Sequence, residues 1–153
     1  MEFLIIVGAK YLMVVLVVMF GTYALCSKER DGLLLAAAAV VPLAYLFARV
    51  AGLFFAHPQP FAAGGFEPLI PHTVDNSFPS DHAAVGGALA VLAWFYNRPL
   101  GFVLEVGVIA VGVSRAAAGL HYTADIAIGL LLGAAAALII HNIFTPTGSR
   151  ASP

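Results

Sequence analysis

The stretch SRAAAGLHYTADIAIGLLLGAAAALII, residues 114–140, places an arginine, a histidine and an aspartate directly ahead of a long run of small and aliphatic side chains. As a helix, the run from 121 to 143 meets the length of about 20 residues needed to cross about 30 Å of hydrocarbon. Working outward, four further runs occupy roughly 3–25, 33–56, 79–96 and 99–118. They are separated by CSKERDG, by HPQPFAAGGFEPLIPHTVDNSF, by NRP and, most weakly, by the GLHY junction. The runs are too long for barrel strands and show no in/out alternation. The expected fold is therefore all-α: a polytopic membrane protein, a bundle of about five transmembrane helices. Gly86, Gly87, Gly107, Gly112, Gly129 and Gly133 would let the last three helices approach closely.

Composition agrees with that solvent. With 61% hydrophobic and 10% charged residues, and a mean hydropathy of +0.97, the chain is not an ordinary soluble domain. Seven basic residues against eight acidic ones leave no basic field, which excludes nucleic acid as a partner class; the expected partner is the lipid bilayer. Cys26 has no companion for an internal disulfide or a metal site and reads as packing. The opening segment lacks a basic n-region and a small-residue cleavage site, so it reads as an uncleaved first span. Residues 1–153 read as a single membrane-embedded domain, with 145–153 a disordered tail and nothing that specifies an oligomeric state.

Orientation follows from the basic residues. Lys28, Arg30, Arg98 and Arg150 all fall on one side of a five-span chain, which the positive-inside rule makes cytoplasmic. The long loop 57–78 and the junction near residue 120 are then expected on the outer face of the cell (inner) membrane. Ser80, Asp81 and His82 at the start of the third run, Ser114 and Arg115 at the end of the fourth, and His121 and Asp125 at the start of the fifth share that face. Two helix N-termini with an arginine fork describe an oxyanion site. His121 and Asp125 are four apart, so the carboxylate can hold one imidazole nitrogen while the other faces the anion as a nucleophile. His82 stands as general acid. No cluster at metal-ligand spacing accompanies them, and neither metal nor cofactor is expected.

FPSDHA (78–83) and SRAAAGLHYTAD (114–125) resemble the P-S-x-H and S-R-x5-H-x3-D signatures of the type 2 phosphatidic acid phosphatase superfamily. The SFPSDH motif in a short chain looks most like the small bacterial undecaprenyl-diphosphate phosphatases linked to bacitracin resistance. The resemblance implies a membrane lipid phosphatase without metal or cofactor. His121 would form a phosphohistidine, His82 would protonate the leaving group, Asp125 would orient His121, and Ser80, Ser114 and Arg115 would hold phosphate oxygens. Its first signature, K-x6-R-P, is not met: Gly52 stands at the lysine position and Gln59 at the arginine position. Arg49, one turn before Gly52, is a candidate replacement for the missing cations, against a structural pairing with Asp125 or Glu67. His57 reads either as a phosphate contact or as a cap on the second helix.

His72 and His141 read as interfacial, Lys10 as a snorkelling lysine, and Asp75 and Asn76 as shaping the turn before the third span. Three activities are compatible. The favoured one hydrolyses an isoprenoid diphosphate such as undecaprenyl diphosphate; the second is a phosphatidic acid or phosphatidylglycerophosphate phosphatase; the third is a non-catalytic lipid-phosphate binder or transporter.

Overall fold

The computed structural model describes residues 1–144; the tail expected to be disordered, 145–153, lies outside the described residues. Among these the helices are α1 (Glu2–Lys10), α2 (Leu12–Cys26), α3 (Arg30–Phe54), α4 (Pro60–Gly64), α5 (Asp81–Tyr96), α6 (Arg98–Ala117) and α7 (Thr123–Phe144). Local chemistry explains several boundaries. Asn97 caps α6 by accepting the Leu100 N–H at 3.0 Å, with proline in the first turn, so NRP ends one helix and starts the next. Gly65, at φ 65°, terminates α4 in the left-handed region that favours glycine.

The fold is all-helical, as expected, but the spans differ from the five anticipated. By length and apolar composition α3, α6 and α7 qualify, and α1 with α2 form a fourth if the pair, bent by 43°, is one span. The third anticipated span is shorter than its apolar run. Ser80 is the N-cap and Pro79 lies outside the helix, so α5 keeps 16 residues, or roughly 24 Å at 1.5 Å per residue. A short helix serves here because α5 is the centre of the bundle, packed against α2, α3, α6 and α7.

That packing depends on missing side chains. A Cβ on Gly133 would overlap the Ala84 carbonyl oxygen, and one on Gly129 would stand 2.6 Å from the Ser80 carbonyl oxygen. The backbones of α5 and α7 therefore touch along the glycine-alanine face. On α3, Leu33, Ala36, Val40, Ala44 and Ala48 form the buried stripe, at helical spacing. Leu46, Leu53, Phe102 and Leu131 are exposed, as suits helices whose outer solvent is lipid.

Cross-helix bonds gather one end of the bundle. The Ser80 N–H donates to the Asp125 carbonyl at 3.1 Å, joining the starts of α5 and α7, and the Leu120 N–H donates to the Arg115 carbonyl at 3.0 Å. Asn76 fastens the long loop to α3 through the Gly52 carbonyl at 3.2 Å, and accepts from the His57 N–H at the start of the loop at 3.0 Å. The last turns of α3 and α6 and the first turns of α5 and α7 thus lie together. Lys28, Arg30 and Arg98 belong to the opposite end.

Candidate active site

A cavity of about 200 Å³ opens at the gathered end, lined by His72, Asp75, Asp81, His82, Arg115 and His121 among others. Its ordering begins with His121. The Nδ1 atom lies 2.9 Å from the Ser77 carbonyl oxygen, which can only accept, so Nδ1 carries the proton and Nε2 keeps its lone pair. Nε2 lies 3.3 Å from Nη2 of Arg115, a donor. In the turn between α6 and α7, burial first and Arg115 second push the His121 imidazole down to about 4. It is neutral at pH 7.

The carboxylate expected to hold His121 is one step removed. Asp125 Oδ2 is 3.8 Å from His121 Nδ1, beyond hydrogen-bond range, and instead accepts from Ser77 Oγ at 2.6 Å and from the Tyr122 N–H at 2.8 Å. Asp125 therefore fixes Ser77, and Ser77 fixes the ring. Sequence reasoning missed Ser77, although it sits within SFPSDH. Its signal, a lone serine before the recognised motif, resembles any loop serine.

Arg115 and Ser80 are both buried, and Arg115 Nε and Ser80 Oγ have no hydrogen-bond partner within the protein. Buried polar atoms left unpaired are costly unless a ligand satisfies them. Ser80 is the N-cap of α5, and His82 in the first turn lines the cavity with Arg115 and His121.

The remaining candidates divide. Ser114 turns to α1, where its Oγ packs directly over Gly8. His57 faces Asp125, not the cavity: its Nε2 lies 3.2 Å from Asp125 Oδ1, and its ring meets Tyr122 edge-on. It is not a cap on α3, which ends at Phe54. Gln59 is buried and lines the cavity, but its amide is engaged with the Thr73 carbonyl at 3.3 Å and the Asp75 N–H at 2.8 Å, which orders the loop. Gly52 leaves little room for any side chain, since a Cβ would lie 3.0 Å from both Asn76 Nδ2 and the Phe78 carbonyl oxygen. Arg49 pairs through Nη2 with Asp81, and not with Asp125 or Glu67. His72, expected at the interface, lines the cavity, where burial and then Arg115 lower its pKa. His141 stacks on Phe95 at a centroid distance of 3.7 Å, far along α7 from the site.

The PAP2 superfamily model matches residues 32–148. The chain belongs to the PAP2 superfamily. It is 33% identical over 134 residues to the bacitracin transport permease protein BcrC of Bacillus licheniformis, covering 86% of this chain and 66% of that one. It is 37% identical over 92 residues to the undecaprenyl-diphosphatase BcrC of Bacillus subtilis, covering 60% of this chain and 46% of the relative. The chain thus spans between about half and two thirds of the length of these curated relatives. Among the solved structures that share this fold are two covered over most of their length. Aquifex aeolicus LpxE superposes with a TM-score of 0.68 at 22% identity, covering 91% of this chain and 81% of that one. The PAP2 type phosphatidylglycerolphosphate phosphatase of Bacillus subtilis gives 0.61 at 22% identity, covering 92% and 72%. These likenesses and the apolar helices make the chain a multi-pass membrane protein.

Proposed function

We propose that this PAP2 protein is a membrane lipid phosphatase that cleaves an isoprenoid diphosphate, such as undecaprenyl diphosphate, to the monophosphate and inorganic phosphate. The observation that carries the reading is the orientation of His121: Nδ1 held by the Ser77 carbonyl, and Nε2 unprotonated, its lone pair turned to the Arg115 guanidinium in the cavity. A binder or transporter has no use for a nucleophile so aimed, and the curated Bacillus subtilis relative is named for the diphosphatase activity.

In the proposed reaction Nε2 attacks the terminal phosphorus, forming the P–N bond as the bond to the bridging oxygen breaks. His82 gives its proton to that oxygen, and lipid monophosphate leaves. Arg115, Ser80 and the free N–H groups at the start of α5 complement the charge on the equatorial oxygens. Water, deprotonated by His82, then cleaves the P–N bond and releases phosphate. Asp125 and Ser77 keep the His121 ring in place throughout. The residues supply both the nucleophile and the positive charge, so no step calls for a metal or cofactor.

Purified protein in detergent, offered undecaprenyl diphosphate, phosphatidic acid and phosphatidylglycerophosphate separately, is expected to give its highest kcat/KM on the diphosphate, unaffected by chelator. A preference for phosphatidic acid or phosphatidylglycerophosphate overturns the substrate assignment. Binding of all three without phosphate release overturns the enzyme.

The site is assigned to the extracytoplasmic face of the cell (inner) membrane, because Lys28, Arg30 and Arg98 lie at the other end. With Cys26 replaced by alanine, single cysteines at the exposed positions Glu67 and Val74 are expected to react with an impermeant thiol reagent on intact cells. Cysteines at Lys28 and Arg98 are expected to stay unlabelled until the membrane is permeabilised. The opposite pattern turns the site to the cytoplasm.

A further inference from the structure

The cavity is poorly supplied with positive charge for a diphosphate. Arg115 is its only lysine or arginine among the described residues, and two carboxylates, Asp75 and Asp81, line the same walls. A terminal phosphoryl group alone would use Arg115, leaving the second phosphate of a diphosphate against Asp81.

The structure puts a second cation at that point. Beside the cavity runs a groove of about 430 Å³, lined by Leu46, Leu53 and Phe78 with Arg49 and Asp81. Asp81 lines both spaces, so the Arg49–Asp81 pair stands on the wall between groove and cavity. The groove is mostly apolar, and Leu46, Val50 and Leu53 are exposed on α3, where lipid chains meet the protein. A lipid diphosphate lying with its chain in the groove and its terminal phosphate at His121 would carry its inner phosphate past this pair.

Arg49 is built to hold an anion there. Its bond to Asp81 engages Nη2, and a guanidinium has five N–H donors, so Nε and Nη1 remain for a second acceptor. Its guanidinium carbon lies 4.9 Å from the Tyr45 ring centroid, which steadies the head group, and the side chain is 49% exposed. Neither Gly52 nor Gln59 offers a replacement, the one for want of space and the other because its amide is engaged.

We propose that Arg49, positioned by Asp81, binds the non-scissile phosphate and makes the site selective for lipid diphosphates over lipid monophosphates. The inference rests on the phosphatase reading above. Asp81 touches Arg49 and not the reacting atoms, so it is a positioning residue. It also opposes any anion that arrives without engaging Arg49, which disfavours a lone phosphoryl group.

The test compares kcat/KM on undecaprenyl diphosphate and on phosphatidic acid for wild type, Arg49→Ala, Arg49→Lys and Asp81→Asn, with folding checked by gel filtration and thermal melting. Arg49→Ala is expected to lower kcat/KM on the diphosphate about 100-fold and to reduce the diphosphate-to-monophosphate ratio at least tenfold. Arg49→Lys keeps the charge without the fork and is expected to recover part of the ratio. Asp81→Asn is expected to reduce the ratio by raising the monophosphate rate. If Arg49→Ala does not fold, Arg49→Lys and Asp81→Asn carry the same comparison. Equal losses on both lipids, with the ratio unchanged, assign the pair to structure and overturn the inference alone. A wild-type protein that releases phosphate from neither lipid overturns the phosphatase reading, and this inference with it.

Discussion

His121→Ala is expected to leave a folded protein whose phosphate release falls on the order of 10⁴-fold or more, the scale seen when a covalent nucleophile is removed. The substitution removes the Nε2 that would attack phosphorus, and Arg115 and Ser80 would still bind the phosphoryl group. Its structural cost is modest. The buried Ser77 carbonyl loses its imidazole partner, a cost of about 1–3 kcal/mol, whereas the core of Leu33, Val40, Leu92 and Val108 lies elsewhere. Wild type quenched during turnover is expected to carry an acid-labile, base-stable phosphoryl label on His121, absent from the variant. The same histidine sets a pH dependence. Because burial and Arg115 hold it down to about 4, Nε2 keeps its lone pair through the mildly acidic range, and the acidic limb of kcat/KM due to this group lies well below pH 6.5. Between about 4 and 6.5 the unfolded histidine binds a proton that the folded one does not, so its contribution to stability falls as pH drops through that window. Turnover by His121→Ala near the wild-type rate would overturn the mechanism.

Arg115→Ala is expected to lower kcat/KM by about 10³-fold, and Arg115→Lys to recover only a small part. The guanidinium is asked to do two things. Nη2 faces His121 Nε2 at 3.3 Å, and buried Nε has no protein partner, leaving it for a phosphate oxygen. Losing one preorganised donor to developing charge costs about 3–4 kcal/mol, and among the described residues this arginine is the cavity's only guanidinium. A lysine at the same place is a point charge without the planar fork. Two further readouts separate this role from packing. Inhibition by inorganic phosphate should weaken in both variants. In Arg115→Ala the acidic limb should move to higher pH, because the cation that depresses His121 is gone. An alanine variant with wild-type phosphate inhibition and an unmoved acidic limb would reduce Arg115 to a structural residue.

Much of this was legible from short-range pattern. Runs such as 121–143 declare their solvent by length alone, because a backbone in hydrocarbon must satisfy its own hydrogen bonds. The S-R-x5-H-x3-D spacing was legible for a related reason. One helix end, one tight turn and one helix start bring Arg115, His121 and Asp125 together with little help from the rest of the chain. Length was a poorer guide for α5, whose anticipated run began at Pro79, ahead of Ser80, which caps the helix.

The sequence by itself determined the membrane-helical class, the family and the residue types at one end of the bundle. Local dihedral geometry and the hydrophobic period both act within a few residues, and these features need nothing more. Only the tertiary structure decided which of those groups meet. Ser77 is 44 residues from the histidine it holds and 48 from Asp125, and Arg49 is 32 from Asp81. Ser114, adjacent to Arg115, turns to Gly8, while His57 reaches Asp125 from its far side. Such meetings depend on how far each helix is rotated and how closely its backbone approaches the next. At α5 and α7 the absence of side chains on Gly129 and Gly133 sets that distance, and no spacing within one helix encodes it.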